Sequence, residues 1–323
     1  MKKMLKVVLL CVVCSLTLIC ASCGKDERMT VGSVIFEATN EWFVEATAGM
    51  EDAAKQLNVN LSKSDSRYDV LVEKDLIREQ IKNKASAVVI CPLTVDETGA
   101  ALKEATDLGI PVVTWNSVVK PVPTSQIVVD STVLGSATGE YVKKYVQEKG
   151  IKNLKAALII DTSFSVGIER CNGFRQSIKP LVDSGVMEIV VETKADMHEA
   201  TSITIEKILN ERPDINFIWC WNQMTTGAAV DVLKKLGRSD VIVTGTDMSL
   251  SLAGDMLANE VNLIAITTQQ PYQMGYEAVQ TAVKAAKGEK VEQTLIIPTL
   301  TYTKDDPNAL NEYIASHQKY VKK

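Results

Sequence analysis

The sequence has little of what most catalytic and metal sites require. Its 323 residues include only two histidines, and aromatic residues make up 5% of the chain. No His/Cys group has the spacing of metal ligands, and no Walker loop, GxSxG elbow or GxGxxG follows the first apolar run. The net charge is −5, whereas a nucleic-acid partner requires a basic face. We therefore expect no metal, no cofactor, no nucleic-acid partner and no catalytic residues.

Cysteine is scarce outside the N-terminal segment. Four of the seven cysteines lie within the first 23 residues, which leaves Cys91, Cys171 and Cys220 in the body of the chain. Three is an odd number, these cysteines lie in or beside apolar runs, and they have no CxxC spacing. The pattern predicts buried thiols that act as small hydrophobic residues, and it argues against a disulfide framework or a zinc site.

The N-terminal segment predicts export. Three lysines form a basic head, and an apolar run too short to span a bilayer follows them, VVLLCVVCSLTLI. The stretch CASCG then places two small residues before Cys23. It resembles the lipobox of bacterial lipoproteins, although Cys20 stands where leucine is usual. The resemblance implies a signal peptide over 1–22, lipidation of Cys23 and a tether over 23–29. The alternative is an ordinary secretion signal cut near Ala21.

The body of the chain alternates between apolar runs and helical patterns. The runs predict strands at 30–36, 58–64, 85–93, 110–116, 126–130, 154–161, 187–193, 215–221, 240–247, 262–268 and 293–303. Helical spacing predicts helices at 70–84, 95–108, 132–149, 198–210, 224–236, 272–287 and, as an extra C-terminal helix, within 305–323. Continuous apolar strands are typical of sheets covered on both faces, so the alternation predicts a doubly wound α/β architecture.

The number of predicted strands favours two sheets over one. The alternation of strands and helices is interrupted before Asp130, where two prolines lie in a stretch that predicts no helix. We expect the chain to cross from one lobe to the other near Asp130, at Gln269 and near Pro298. The predicted lobes are residues 30–129 with 270–297, and residues 130–269 with 298–323.

Aromatic–amide pairs follow three apolar runs, in the stretches NEWF, TWNS and CWNQ. Because ligands of open parallel sheets bind beyond the carboxyl ends of the strands, we expect these loops to meet. Amides both donate and accept hydrogen bonds, rings pack on C–H faces, and Arg or Asp can bind adjacent hydroxyls. The pattern predicts a site for a neutral polyol, built by Asn40, Trp42, Phe43, Trp115, Asn116, Arg170, Trp221, Asn222, Asp247 and Gln269.

Each of these residues has a structural alternative. The asparagines could be turn residues or helix caps, and Asp247 could cap the helix after it. The aromatic residues of NEWF and TWNS could be core, and Arg170 could form a surface ion pair. We predict that Trp219 packs in the core, whereas Trp221 stacks on the ligand and Asn222 binds its hydroxyls. Replacing Asn222 by alanine would then weaken binding without changing the melting of the free protein.

The same stretches occur in the order of a known family. They are TNEWFV, PVVTWNS, QIVVDSTVLGSATGEYV, IERCNGF, KADMHEA, CWNQMTTGA, VTGTDM and TTQQPYQMG. Over about residues 29–303, the chain resembles the type I periplasmic sugar-binding proteins of ABC importers, nearest to the ribose-binding branch. The resemblance implies two Rossmann-like lobes joined by three hinge crossings. It adds Ser117 and Met197 to the site, at positions where ribose binders have a charged residue and usually a phenylalanine.

The resemblance also implies a function. The protein would be a lipid-anchored extracytoplasmic receptor that captures a monosaccharide or similar polyol and delivers it to the transmembrane subunits of an ABC permease. We expect a monomer, held in the cell envelope by its lipid. The alternative is a sensor that presents the sugar to a membrane receptor. A secreted carbohydrate-active enzyme is a remote alternative, since none of the 40 acidic residues stands out as part of a catalytic pair.

Overall fold

The computed structural model describes residues 28–121 and 123–321. The predicted signal peptide, the first part of the tether and the lipidation of Cys23 lie outside the described residues. Within the described ranges, no helix combines the length and the apolar character that crossing a bilayer requires.

Strands and helices alternate along the described part of the chain. The strands are β1 (Thr30–Ile35), β2 (Asn60–Asp65), β3 (Ala87–Ile90), β4 (Val112–Trp115), β5 (Ser125–Val128), β6 (Leu154–Ile160), β7 (Met187–Lys194), β8 (Phe217–Cys220), β9 (Ile242–Thr246), β10 (Asn262–Thr268), β11 (Thr294–Ile296) and β12 (Leu300–Thr303). The helices are α1 (Glu41–Leu57), α2 (Val70–Lys82), α3 (Asp96–Asp107), α4 (Ser131–Glu148), α5 (Ser165–Asp183), α6 (His198–Glu211), α7 (Gln223–Leu236), α8 (Leu250–Ala258), α9 (Pro271–Ala286) and α10 (Pro307–Val321).

The strands form two six-stranded sheets of matching topology. The first has the order β11-β5-β4-β3-β1-β2, with every pair parallel. The second has the order β12-β10-β9-β8-β6-β7 and is parallel except for the edge strand β12. The two orders correspond strand by strand. The prediction of two doubly wound α/β lobes is therefore confirmed.

Apolar residues on both faces of the strands build the cores. In β3, Val88 and Ile90 pack with α2 and α3, whereas Ala87 and Val89 pack with α1 and α9. Successive side chains of a strand point to opposite faces, so a strand covered on both sides must be apolar throughout. This explains why the sequence shows continuous apolar runs where a half-exposed sheet would show alternation.

The apolar run 293–303 forms two strands instead of the single strand that was predicted. β11 pairs with β5 in the first sheet, whereas β12 pairs with β10 in the second. Pro298 lies between them, and a proline lacks the N–H that a continuing strand would need for its ladder. The run therefore leaves one sheet and enters the other.

Two further segments lead from one sheet to the other. After β5 the chain passes Asp130 and enters α4, which packs against α5, β9 and β10. After β10 it passes Gln269 and enters α9, which packs against α1 and strands of the first sheet. These connections support the predicted division, which we retain as a proposal. The proposed first lobe is residues 30–129 with 270–297, and the second is residues 130–269 with 298–323.

The C-terminal helix α10 contacts both lobes. Leu310 and Tyr313 are buried in the core of the second sheet. One turn later, His317 Nε2 lies 3.0 Å from Glu45 Oε1 on α1 of the first lobe. Burial alone would lower the pKa of His317, but the hydrogen bond to Glu45 and the charge of that carboxylate raise it above its ordinary value. The helix thus adds a charged contact between the lobes beside the three crossings.

Candidate functional site

A cavity of about 230 Å³ lies between the two lobes, where strands of both sheets end. Nine of the predicted site residues line it, namely Asn40, Trp42, Phe43, Asn116, Arg170, Trp221, Asn222, Asp247 and Gln269. They come from both sides of the crossing at Asp130, and Gln269 lies at the second crossing. The three aromatic–amide stretches therefore do meet, together with the charged residues that follow other strands.

The polar side of the cavity is built on a buried ion pair. Arg170 Nη1 donates to Asp247 Oδ2 over 2.6 Å, and Gln269 Nε2 donates to the other carboxylate oxygen over 3.2 Å. Arg170 is 4% exposed and Asp247 is 8% exposed, so the pair is no surface contact. Arg170 Nε is also buried and has no hydrogen-bond partner within the described ranges.

Close helix packing positions the guanidinium. A Cβ added at Gly135 on α4 would lie 2.0 Å from the carbonyl oxygen of Arg170 on α5. A Cβ added at Gly173 on α5 would lie equally close to the carbonyl oxygen of Thr132. Larger residues at either glycine would push the two helices apart and move Arg170 away from Asp247.

Asn116 and Asp247 share an unusual backbone conformation. Their φ angles are 64° and 65°, in the left-handed region that Asn and Asp tolerate best among non-glycine residues. They follow β4 and β9, which hold the same place in the two sheets. Each backbone N–H bonds at 2.9 Å to the neighbouring strand, at Ile127 and Thr267 respectively. The fold thus holds the same strained turn at the cavity in both lobes.

Two of the asparagines are also helix caps. Asn40 Oδ1 accepts from the N–H of Trp42 at the start of α1, and Asn222 Oδ1 accepts from the N–H of Thr225 at the start of α7, both over 2.9 Å. No protein hydrogen bond to either amide nitrogen is found in the described part of the chain. Each cap therefore fixes the amide and leaves its NH₂ group available. Asp247 is not the cap of the helix that follows it, because Ser249 caps α8.

The cap changes the prediction for Asn222. Loss of a capping side chain costs roughly 0.5–2 kcal/mol of stability. We therefore expect an alanine at this position to lower the melting temperature of the free protein, and this replaces the expectation of unchanged melting. Aspartate would keep the capping oxygen and remove only the amide donor.

Aromatic rings form the opposite side of the cavity. The ring centroids of Trp42 and Phe43 are 5.0 Å apart, and Phe43 lies 4.7 Å from Phe36. Phe43 is buried in the core of the first lobe, and Trp42 packs against that core. The aromatic residues are thus core and cavity wall at once, and only their outer faces are free.

The structure corrects the predicted contacts of three residues. Trp115 is fully buried, with its ring stacked 5.5 Å from Trp42 on the side away from the cavity lining. Ser117 lines an adjoining cavity of about 650 Å³. Met197 precedes α6 and is 58% exposed, outside both linings. None of the three lines the 230 Å³ cavity.

Trp219 and Trp221 have the different surroundings that were predicted for them. Trp219 is fully buried, with its ring stacked on Phe174 at 4.4 Å, so its core position is confirmed. Trp221 lines the cavity, and its indole N–H donates to the carbonyl oxygen of Ala195 over 2.7 Å. That bond holds the ring in place. Stacking of Trp221 on a ligand stays a prediction.

Sequence reasoning missed five lining residues. They are Phe36, Glu37, Tyr68, Val166 and Gln223. Phe36 and Glu37 directly follow β1, so the strand-end rule that selected the others could have found them. Tyr68 and Val166 belong to segments without an apolar run, and no pattern in the sequence singles them out.

Two α/β lobes with a polar and aromatic cavity between them define a bilobal binding protein. The chain belongs to the periplasmic binding protein domain family, whose model matches residues 31–290.

Related proteins cover most of the chain. It is 28% identical over 265 residues to the ribose import binding protein of Escherichia coli K12, a match that spans 81% of this chain and 86% of the relative. A solute-binding protein of Agrobacterium radiobacter in complex with D-arabinose has a TM-score of 0.77 at 21% identity, over 90% of this chain and 99% of the other. An arabinose transporter component of Shewanella sp. ANA-3 has a TM-score of 0.79 at 20% identity, over 91% and 98%. The two structures share the fold.

We expect the two arginines of α5 to differ in their effect on stability. Arg170→Met leaves Asp247 as a buried charge without its partner, which costs about 3–5 kcal/mol. Arg175→Met removes an ion pair with Glu192 whose side chains are 33% and 37% exposed, and such pairs contribute about 0–1 kcal/mol. Denaturant unfolding of the two variants measures the difference. Equal losses would show that the Arg170–Asp247 pair is not a buried constraint.

Proposed function

We propose that the protein captures a monosaccharide or similar polyol between its lobes and delivers it to an ABC permease. The observation that carries this proposal is the composition of the cavity. Arg170, Asn222, Asp247 and Gln269 of the second lobe face Trp42 and Phe43 of the first. The relatives named above, a ribose import binding protein and two proteins bound to pentoses, support the same ligand class.

The free groups of the cavity match the chemistry of a sugar. The amide nitrogens of Asn40 and Asn222 and the buried Nε of Arg170 are donors without protein partners in the described ranges. Ligand oxygens at the two amides would accept hydrogen bonds that the protein does not satisfy. The rings offer flat surfaces to the C–H face of the same ligand.

We propose binding without turnover. Glycoside hydrolysis needs two carboxylic groups placed on either side of the scissile bond. Of the two carboxylates in the lining, Asp247 is held by Arg170 and Gln269, and Glu37 accepts from Tyr68. Neither is arranged as a general acid, and both are arranged as fixed hydrogen-bond acceptors.

A thermal-shift panel tests the ligand class. We expect at least one of D-ribose, L-arabinose, D-galactose, D-glucose and myo-inositol to raise the melting temperature. A ligand at 100 times its dissociation constant stabilises the fold by about 2.7 kcal/mol, which is readily seen in such a scan. Asn222→Asp should melt like the wild type without sugar but bind the same sugar about 1–3 kcal/mol more weakly, because a donor is lost in a buried site.

Two outcomes would contradict this proposal. The first is a panel in which no polyol shifts the wild-type melting temperature at millimolar concentration. The second is an Asn222→Asp variant that binds the sugar with wild-type affinity, which would show that the amide is a cap and nothing more.

We also propose that Cys23 carries a lipid, which would hold the receptor at the membrane as a monomer in the cell envelope. The proposal rests on the stretch CASCG, which resembles a lipobox. Cys23→Ala should abolish the incorporation of labelled palmitate and release the protein from the membrane fraction. The matched control is Cys20→Ala, which should remain labelled. Palmitate on the Cys23→Ala protein would contradict the anchor.

A further inference from the structure

Tyr68 lines the cavity although it adds little to the core. It lies in the short loop between β2 and α2, and 61% of it is exposed. Its φ angle is 61°, and that of the preceding Arg67 is 51°. Two consecutive non-glycine residues are thus left-handed, and the second of them carries a bulky ring.

This conformation works against stability. The left-handed region is uncommon for side chains other than Asn and Asp, and a bulky residue there is an outlier. Asparagine or glycine would fit either position with less strain. Because the ring of Tyr68 stays largely exposed, its burial offsets little of this strain.

Several hydrogen bonds hold the loop in this strained form. Asp65 Oδ1 accepts from the N–H of Arg67 over 2.9 Å, and the N–H of Tyr68 donates to the carbonyl oxygen of Phe36 over 3.2 Å. On the far side, the N–H of Asp69 donates to the carbonyl oxygen of Ser66 over 3.0 Å. Since Asp69 also caps α2, the loop is anchored to β1, to β2 and to a helix. The position of Tyr68 is therefore set before any ligand arrives.

The ring of Tyr68 continues the aromatic side of the cavity. Its centroid lies 5.0 Å from that of Phe36, with the planes tilted by 50°. Its hydroxyl donates to Glu37 Oε2. Partial burial of the phenol and this hydrogen bond raise the pKa of Tyr68, so the phenol keeps its proton and remains a donor. Glu37 also lines the cavity, and its second oxygen can accept from a ligand.

We propose that Tyr68 is a specificity-determining contact, placed at the cavity by its strained loop. The C–H face of the bound sugar packs on the ring of Tyr68, and a neighbouring sugar hydroxyl donates to Glu37. This inference rests on the proposed function, since it concerns the same ligand. It assigns a role to two residues that the strand-end pattern did not identify.

The test compares two asparagine substitutions in the same loop. Arg67→Asn should raise the melting temperature of the free protein, because it relieves a left-handed residue other than Asn. Tyr68→Asn relieves the same strain but also loses the contacts with Phe36 and Glu37. Arg67 does not line the cavity, so Arg67→Asn should bind the sugar selected by the thermal-shift panel with wild-type affinity. Tyr68→Asn should weaken that binding about tenfold, the usual order for loss of an aromatic contact. Isothermal titration calorimetry measures both.

Each outcome decides the matter. Wild-type affinity in Tyr68→Asn would overturn the inference, and so would an equal loss in Arg67→Asn, which would assign the effect to loop geometry instead of the ring. Tyr68→Phe keeps the ring but loses the hydroxyl, so it should fall between wild type and Tyr68→Asn. If the wild type bound none of the panel sugars, the proposed function itself would fail, and the inference with it.

Discussion

The buried pair of Arg170 and Asp247 is the interaction on which the site depends. Removing two opposite charges from water is costly, and the mutual attraction offsets that cost only when geometry and further hydrogen bonds are good. Here Gln269 donates to the second carboxylate oxygen, and Arg170 Nη1 also reaches the carbonyl oxygen of Trp221 over 3.3 Å. The ends of β8, β9 and β10 are thereby tied to α5. One interaction thus fixes the relative positions of Arg170, Asp247 and Gln269 and of the Trp221 backbone, and the glycine contacts between α4 and α5 keep it short.

The two lobes contribute different chemistry to one cavity. The second lobe supplies the ion pair with the amides of Asn222 and Gln269. The first lobe supplies rings that are already part of its core, together with the amides of Asn40 and Asn116. A ligand that touches both sides favours the conformation in which they are close, by the difference between its contacts in the two states. In the proposed division of the lobes, the chain would adjust at the crossings at Asp130, Gln269 and Pro298. The contact between His317 and Glu45 adds a further constraint between the lobes.

Much of this arrangement could be predicted from the sequence, for a definite reason. Strands buried on both faces leave continuous apolar runs, and the residue after each run then marks the carboxyl edge of a sheet. Asn116, Asn222 and Asp247 were found in this way. Trp115 was misplaced because the rule gives the end of a strand but not the face to which its last side chain points, and one residue of register reverses that face.

Other features depend on contacts that a pattern does not contain. The capping role of Asn222 follows from the geometry at the start of α7. Tyr68 reaches the cavity only because several hydrogen bonds hold a strained loop. Helix α5 was not predicted, since Gly173 and Pro180 weaken its pattern. Gly173 allows the close packing of α5 against α4, and Arg170 lies in the first turns of α5.

Small-angle scattering with and without sugar tests most directly whether the ligand bridges the lobes. A sugar that contacts both should reduce the radius of gyration. A variant with Arg170→Met and Asp247→Leu removes both charges, so it avoids leaving one of them buried alone. It should lose the contraction while remaining folded. A saturating sugar that leaves the wild-type scattering curve unchanged would contradict the account, because the binding energy would then not be coupled to the approach of the lobes.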